Sequence, residues 1–201
     1  MTDHESDPRI PVLMTGDEPG PYFTVGEIAK EIEADGVPFS VARSRVVSYA
    51  NKRLIHVRAP GGSVGKANMF ALPDLATAKI LSNIQDLGVS DTEVLQHASL
   101  QAYAYCGEKQ IEAGVGRYYP MSQALREVFK GEHWVLQIEF RRHVETQERF
   151  INTAFGNVNF SPIWRRPELR GTTDIVPVGS IQCVVSHALM SLRRHVFPAG
   201  N

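Results

Sequence analysis

Two periods run through the hydrophobic positions of this chain. Across residues 24–111 apolar side chains recur every three or four positions, the spacing that gathers one face of an α-helix. From His133 the period drops to two, the spacing of a half-buried strand. The first helix is expected at Thr24, because Thr24-Val-Gly-Glu27 is a capping box in which each side chain can satisfy the other residue's amide. Val25, Ile28, Ala29 and Ile32 share one face, and Asp35-Gly36 ends the helix. A second helix is expected with Ser40 as N-cap, running to about Asn51. Val41, Val46, Val47 and Ala50 would bury one side and leave Arg43, Ser44, Arg45 and Ser48 outward or near its start. Leu54–Val57 reads as a strand, residues 59–65 as turn chemistry and Ala67–Phe70 as a returning strand, which together make a two-stranded wing. Leu72-Pro73-Asp74 opens a third helix that reaches Gly88, with proline and an acid at favoured first-turn positions.

The rest of the chain predicts a different kind of unit. Thr92–Ile111 has helical character, and Tyr118–Lys130 is a short helix stopped by Gly131. In His133–His143, Trp134, Leu136, Ile138 and Phe140 alternate with polar residues, and Arg149–Phe160 is a partner strand. Ile175–Val178 reads as a short strand. Ser180 is expected to cap a last helix whose stripe runs Ile181, Val184, Val185, Ala188, Leu189, Leu192 and Val196. The expected fold class is mainly α with an α+β C-terminal part: an N-terminal winged helix-turn-helix, then helices and a small β-hairpin/helix unit. The expected divisions are a flexible arm over 1–21, the winged helix-turn-helix unit over 22–90, connecting helices over 91–130, and a unit for dimerisation or effector or partner binding over 131–201.

Charge sharpens this reading. The chain of 201 residues is nearly neutral, with a formal net charge of -1, yet Gly36–Pro73 contains no acid and carries Arg43, Arg45, Lys52, Arg53, Arg58 and Lys66. A local basic field attracts a polyanion, because each neutralised phosphate releases condensed counterions. A short helix, a turn and a second helix with a basic, polar start is the plan of a helix-turn-helix. Arg43, Ser44, Arg45 and Ser48 are the candidates for base edges or adjacent phosphates, with Arg45 favoured for specificity. Tyr49, Lys52, Arg58, Lys66 and Asn68 are the candidates for backbone positioning, with Arg58 at the wing.

Other chemistry is poorly represented. His133, His143, His187 and His195, with Glu139, Glu145 and Asp174, match no nucleophile, phosphate-loop or metal spacing. Cys106 and Cys183 lie far apart and outside any zinc spacing. No enzyme activity, cofactor or metal is expected. Trp134 and Trp164 read as core more readily than as an effector pocket. A polar, acidic start and the lack of a long apolar run point to the cytoplasm and away from a membrane.

Four stretches together resemble the winged helix-turn-helix of the MerR family. They are Tyr22-Phe-Thr-Val-Gly-Glu-Ile-Ala29, Leu54-Ile-x-x-Arg58, Phe70-x-x-x-Asp74-Leu75 and Leu87-Gly-Val-Ser-x-x-Glu93-Val94. The resemblance covers about Tyr22–Leu95. It departs from the family in a longer segment between Ala29 and Val46, in Val47 at the family's arginine position, and in a helical pattern that stops by Gly114. It implies a transcriptional regulator, repressor or activator, that binds double-stranded DNA as a homodimer, with an effector or RNA polymerase as further partners. The alternatives are an enzyme or small-ligand sensor with a protein-binding winged helix, and an excisionase-like architectural factor.

Overall fold

A single helix stands at the centre of this protein. The computed structural model describes residues 21–58, 67–103, 120–158 and 174–196. Its helices are α1 (Val25–Glu33), α2 (Phe39–Asn51), α3 (Leu72–Asp86), α4 (Thr92–Tyr103), α5 (Pro120–Glu127), α6 (Val185–Met190) and α7 (Arg193–Val196). Its strands are β1 (Trp134–His143), β2 (Arg149–Asn157) and β3 (Ile175–Val184), in an antiparallel sheet ordered β2-β1-β3. Helix α3 touches α1, α2, α4, α5, α6 and β3. Every residue from Phe70 to Ser82 is buried, and the buried apolar residues of both halves form one continuous cluster.

A helix buried on all sides must satisfy its polar groups internally. Thr77 donates to the carbonyl of Pro73 at 2.8 Å. The fully buried Lys79 donates to the carbonyl of Glu31 at 2.8 Å and pairs with Asp35 at 2.5 Å. Asp74 has no exposed surface. It accepts from the amides of Ala71 at 2.8 Å and His56 at 3.2 Å, from Arg58 Nε at 3.0 Å and from the Tyr103 hydroxyl at 2.6 Å. One carboxylate thus joins the start of α3, the segment after α2 and the end of α4.

Several expectations agree with the fold. The Thr24–Glu27 capping box forms, and its hydrogen bonds hold the Glu27 carboxyl below the ordinary range. Gly36 and Gly131 take the left-handed conformation at helix ends, with φ of 101° and 90°, which suits residues without a Cβ. Trp134, Leu136 and Ile138 face the core, and Trp134 packs at 5.4 Å from Phe155 while donating to Glu127, so it serves as core. Trp164 lies outside the described residues.

Several expectations fail. Helix α2 begins at Phe39 behind Pro38, with no side-chain cap, so Ser40 lies inside the first turn. Leu54–Val57 is not a strand, and Ala67–Phe70 forms no returning strand, with an isolated bridge at Phe70. The chain leaves α2 through Arg53 at φ 57°, with the Arg53 amide on Ala50 and the Leu54 amide on Tyr49, a left-handed helix stop that turns Leu54 and Ile55 into the core. The helix expected after Ser180 starts only at Val185. Ser180 pairs with Glu139 in the sheet, and Ile181 and Cys183 lie opposite Ile138 and Leu136, because cross-strand packing outweighs a helical spacing. The remaining stripe residues Val185, Ala188, Leu189 and Leu192 are buried against this chain's own core. The turn of the expected wing lies outside the described residues; at its base Arg58 donates its amide to Met69 at 2.9 Å, and Phe70 bridges Phe23.

Candidate nucleic-acid interface

The first helix, a turn and the second helix come together as a packed pair, α1 against α2. A helix turns by about 100° per residue, so α2 has one buried arc and one outward arc. Ala42, Val46 and Tyr49 occupy the buried arc. Ser40, Ser44, Val47 and Asn51 line the outward arc, with Arg43 at its edge. Val46 and Val47 cannot both point inward, and it is Val47, 41 % exposed, that faces solvent. Val41, at 42 %, is exposed as well. The outward face thus sets Ser40, Ser44 and Asn51 around one valine, and it is free of acids. It is more regular than the sequence suggests, because helical phase alone puts Val47 and Asn51 on it.

The candidate residues separate into two groups. Arg43 and Ser44 are exposed, and Arg43 has no ion-pair partner among the described residues. Ser48 is half-buried beside them. Arg45 turns back onto α3, where it pairs with Asp86 at 2.7 Å and donates to the Ser82 hydroxyl at 2.7 Å. Tyr49 is 1 % exposed, and its hydroxyl donates to Gln85. Burial pushes that hydroxyl well above the ordinary phenol range. Lys52 reaches Thr92 in the first turn of α4 at 2.9 Å. Arg58 is held by Asp74 through Nε and, at 3.5 Å, through Nη2. Asn68 is exposed and engaged within the protein; Lys66 lies outside the described residues.

The basic field is consequently smaller than the acid-free stretch implies. Helix α3 supplies Asp74 and Asp86 from just beyond the stretch, and these neutralise Arg58 and Arg45. Among the described residues Arg43, Lys52 and Arg53 remain without an acidic partner, at the two ends of α2. Elsewhere the ionisable side chains are taken up in separate local contacts. Glu139 pairs with Arg141 at 2.9 Å, His143 Nδ1 accepts from the hairpin turn, and His195 meets Glu31 at 2.9 Å. Burial raises the Cys183 thiol to about 11, out of the reactive range. Among the described residues no three His, Cys, Asp or Glu side chains gather as a metal would need, and no helix is long and apolar enough to cross a membrane. Compared with models of known protein families, with curated proteins and with solved structures, the chain finds no match in any of the three.

Proposed function

We propose that this protein is a sequence-specific, duplex-DNA-binding regulator of transcription, of a MerR-like winged helix-turn-helix type, acting as a homodimer. The outward face of α2 carries the proposal. It offers hydroxyls, an amide, a small apolar group and a guanidinium without an ion-pair partner among the described residues, with no carboxylate of its own to repel phosphate. Arg43 is the residue for base or phosphate recognition, with Ser44 and Asn51 beside it. Arg45, Tyr49 and Arg58 serve by fixing α2 and the wing base on α3 and Asp74. One such unit covers little DNA, so specific affinity calls for two copies on half-sites spaced by helical turns.

The test is selection from a random duplex library, followed by fluorescence anisotropy on the selected site and a scrambled one across a salt series. Arg43→Ala should cost about 1–3 kcal/mol on the selected site and less on the scrambled one. A selection that yields no enriched site, or binding indifferent to salt, refutes the proposal.

A further inference from the structure

The side of the sheet that faces α4 carries an arrangement that folding does not account for. Arg142 and Arg149 lie directly opposite one another across β1 and β2, so both side chains leave the same face. Like charges in that register repel. Neighbouring Arg141 is neutralised by Glu139. Among the described residues Arg142 has one long contact, 3.4 Å to the amide oxygen of Gln147, and Arg149 has no polar side-chain partner. Both line a cavity of about 410 Å³ between the sheet and the start of α4, within the roughly 300–1,000 Å³ of small-molecule sites. Phe140 and Ile151, the next cross-strand pair on that face, give it an apolar floor, and Val94 and Val178 add apolar wall. Asp91, just before α4, has a carboxylate that accepts from the Glu93 amide at 2.8 Å, and Glu93 in the first turn lines the cavity as well. These two acids offset the arginine pair in formal charge without an ion pair to either guanidinium among the described residues, and they oppose a multiply charged anion more than a singly charged one.

We propose that this cavity binds a small organic carboxylate with an apolar body. The carboxylate sits between Arg142 and Arg149, each able to give it paired N–H donors, and the body lies on Phe140 and Ile151. The ligand's carboxylate then supplies the direct acidic partner that neither guanidinium has among the described residues. This site stands apart from the α2 face and does not depend on DNA binding.

The probe is 4-phenylbutyrate, titrated calorimetrically into the full chain and followed by amide NMR. Its neutral amide and inorganic phosphate are the comparison ligands. The acid should bind with shifts at Val94 and Ile151, the amide should bind at least about tenfold more weakly, and phosphate should not compete. Arg149→Gln should weaken the acid by about tenfold or more and leave the amide unchanged. The same variant should melt at the same temperature or higher, because it removes a repulsion; Arg142→Gln should behave alike. Equal affinity for acid and amide, competition by phosphate, or no binding at millimolar concentration overturns the proposal. So does an Arg149→Gln protein that melts lower yet binds as before, since that makes the arginine structural.

Discussion

Replacing Asp74 with alanine tests whether one buried carboxylate organises the N-terminal half. The side chain is fully buried and receives two backbone amides, the Tyr103 hydroxyl and two Arg58 nitrogens. Alanine leaves all of these donors without their acceptor. Each orphaned buried donor costs about 1–3 kcal/mol. The Arg58 side chain is 32 % exposed, so water recovers part of its loss. Simple addition overshoots once the site relaxes and admits water, so the expected cost is about 3–5 kcal/mol, the range for removing one partner of a buried charged network. For a chain of this size each kcal/mol lowers Tm by roughly 2–4 °C, so a fall of about 10 °C is expected. Circular dichroism melts and urea titrations would measure it. Asp86→Ala is the control: its carboxylate is 47 % exposed in the Arg45 pair and should cost below about 1 kcal/mol. Tyr103→Phe should couple to Asp74→Ala by more than about 0.5 kcal/mol in a double-mutant cycle. If Asp74→Ala and Asp86→Ala shift Tm equally, the hub argument fails.

Two further outcomes follow from the geometry. Burial pushes the Glu31 carboxyl up, but hydrogen bonds from Arg194 and His195 pull it below its ordinary value of 4.5. A depressed folded value stabilises the protein above the unfolded pKa and is lost as pH falls through the folded one. Urea midpoints should therefore drop as pH falls below 4.5, with a shallower drop in Glu31→Gln; parallel curves would remove Glu31 from the account. Arg53 holds φ at 57°, a conformation that costs a side-chain-bearing residue about 1–2 kcal/mol. Arg53→Gly should raise stability by up to about 1 kcal/mol, read as a higher urea midpoint. A midpoint that stays the same or falls would show that the left-handed turn at Arg53 carries no strain that glycine relieves.

What could be read from the sequence was what neighbours in sequence decide. The Thr24–Glu27 box, the Pro73-Asp74 start of α3, the stop at Gly131 and the alternation from Trp134 each depend on residues within a few positions. The α2 face was partly legible: Arg43 and Ser44 point out as expected, whereas Arg45 and Tyr49 turn inward toward residues 36 to 41 positions later. No local pattern reveals such partners. The acid-free stretch misled for the same reason, since the acids that answer it come from α3 across space. Residues 181–184 fit both a strand and a helix, and only the presence of β1 beside them decides. The arginine pair of the cavity was also hidden, because Arg142 and Arg149 meet only once the hairpin register is fixed.

The sealed amine of Lys79 has a consequence for how the helix pair is held. It ties the end of α1, through Asp35 and the Glu31 carbonyl, to the central helix just before the turn into α2. The orientation of that turn is set from beneath it as well as by its own sequence. An acylating reagent or an acetylating enzyme can reach this nitrogen only when α1 lifts away from α3. The rate of its modification, set against that of an exposed lysine such as Lys30, is thus a clock for detachment of the helix pair. Once acylated, the amine could no longer carry the charge that Asp35 faces, and α1 would lose its anchor to the centre of the molecule.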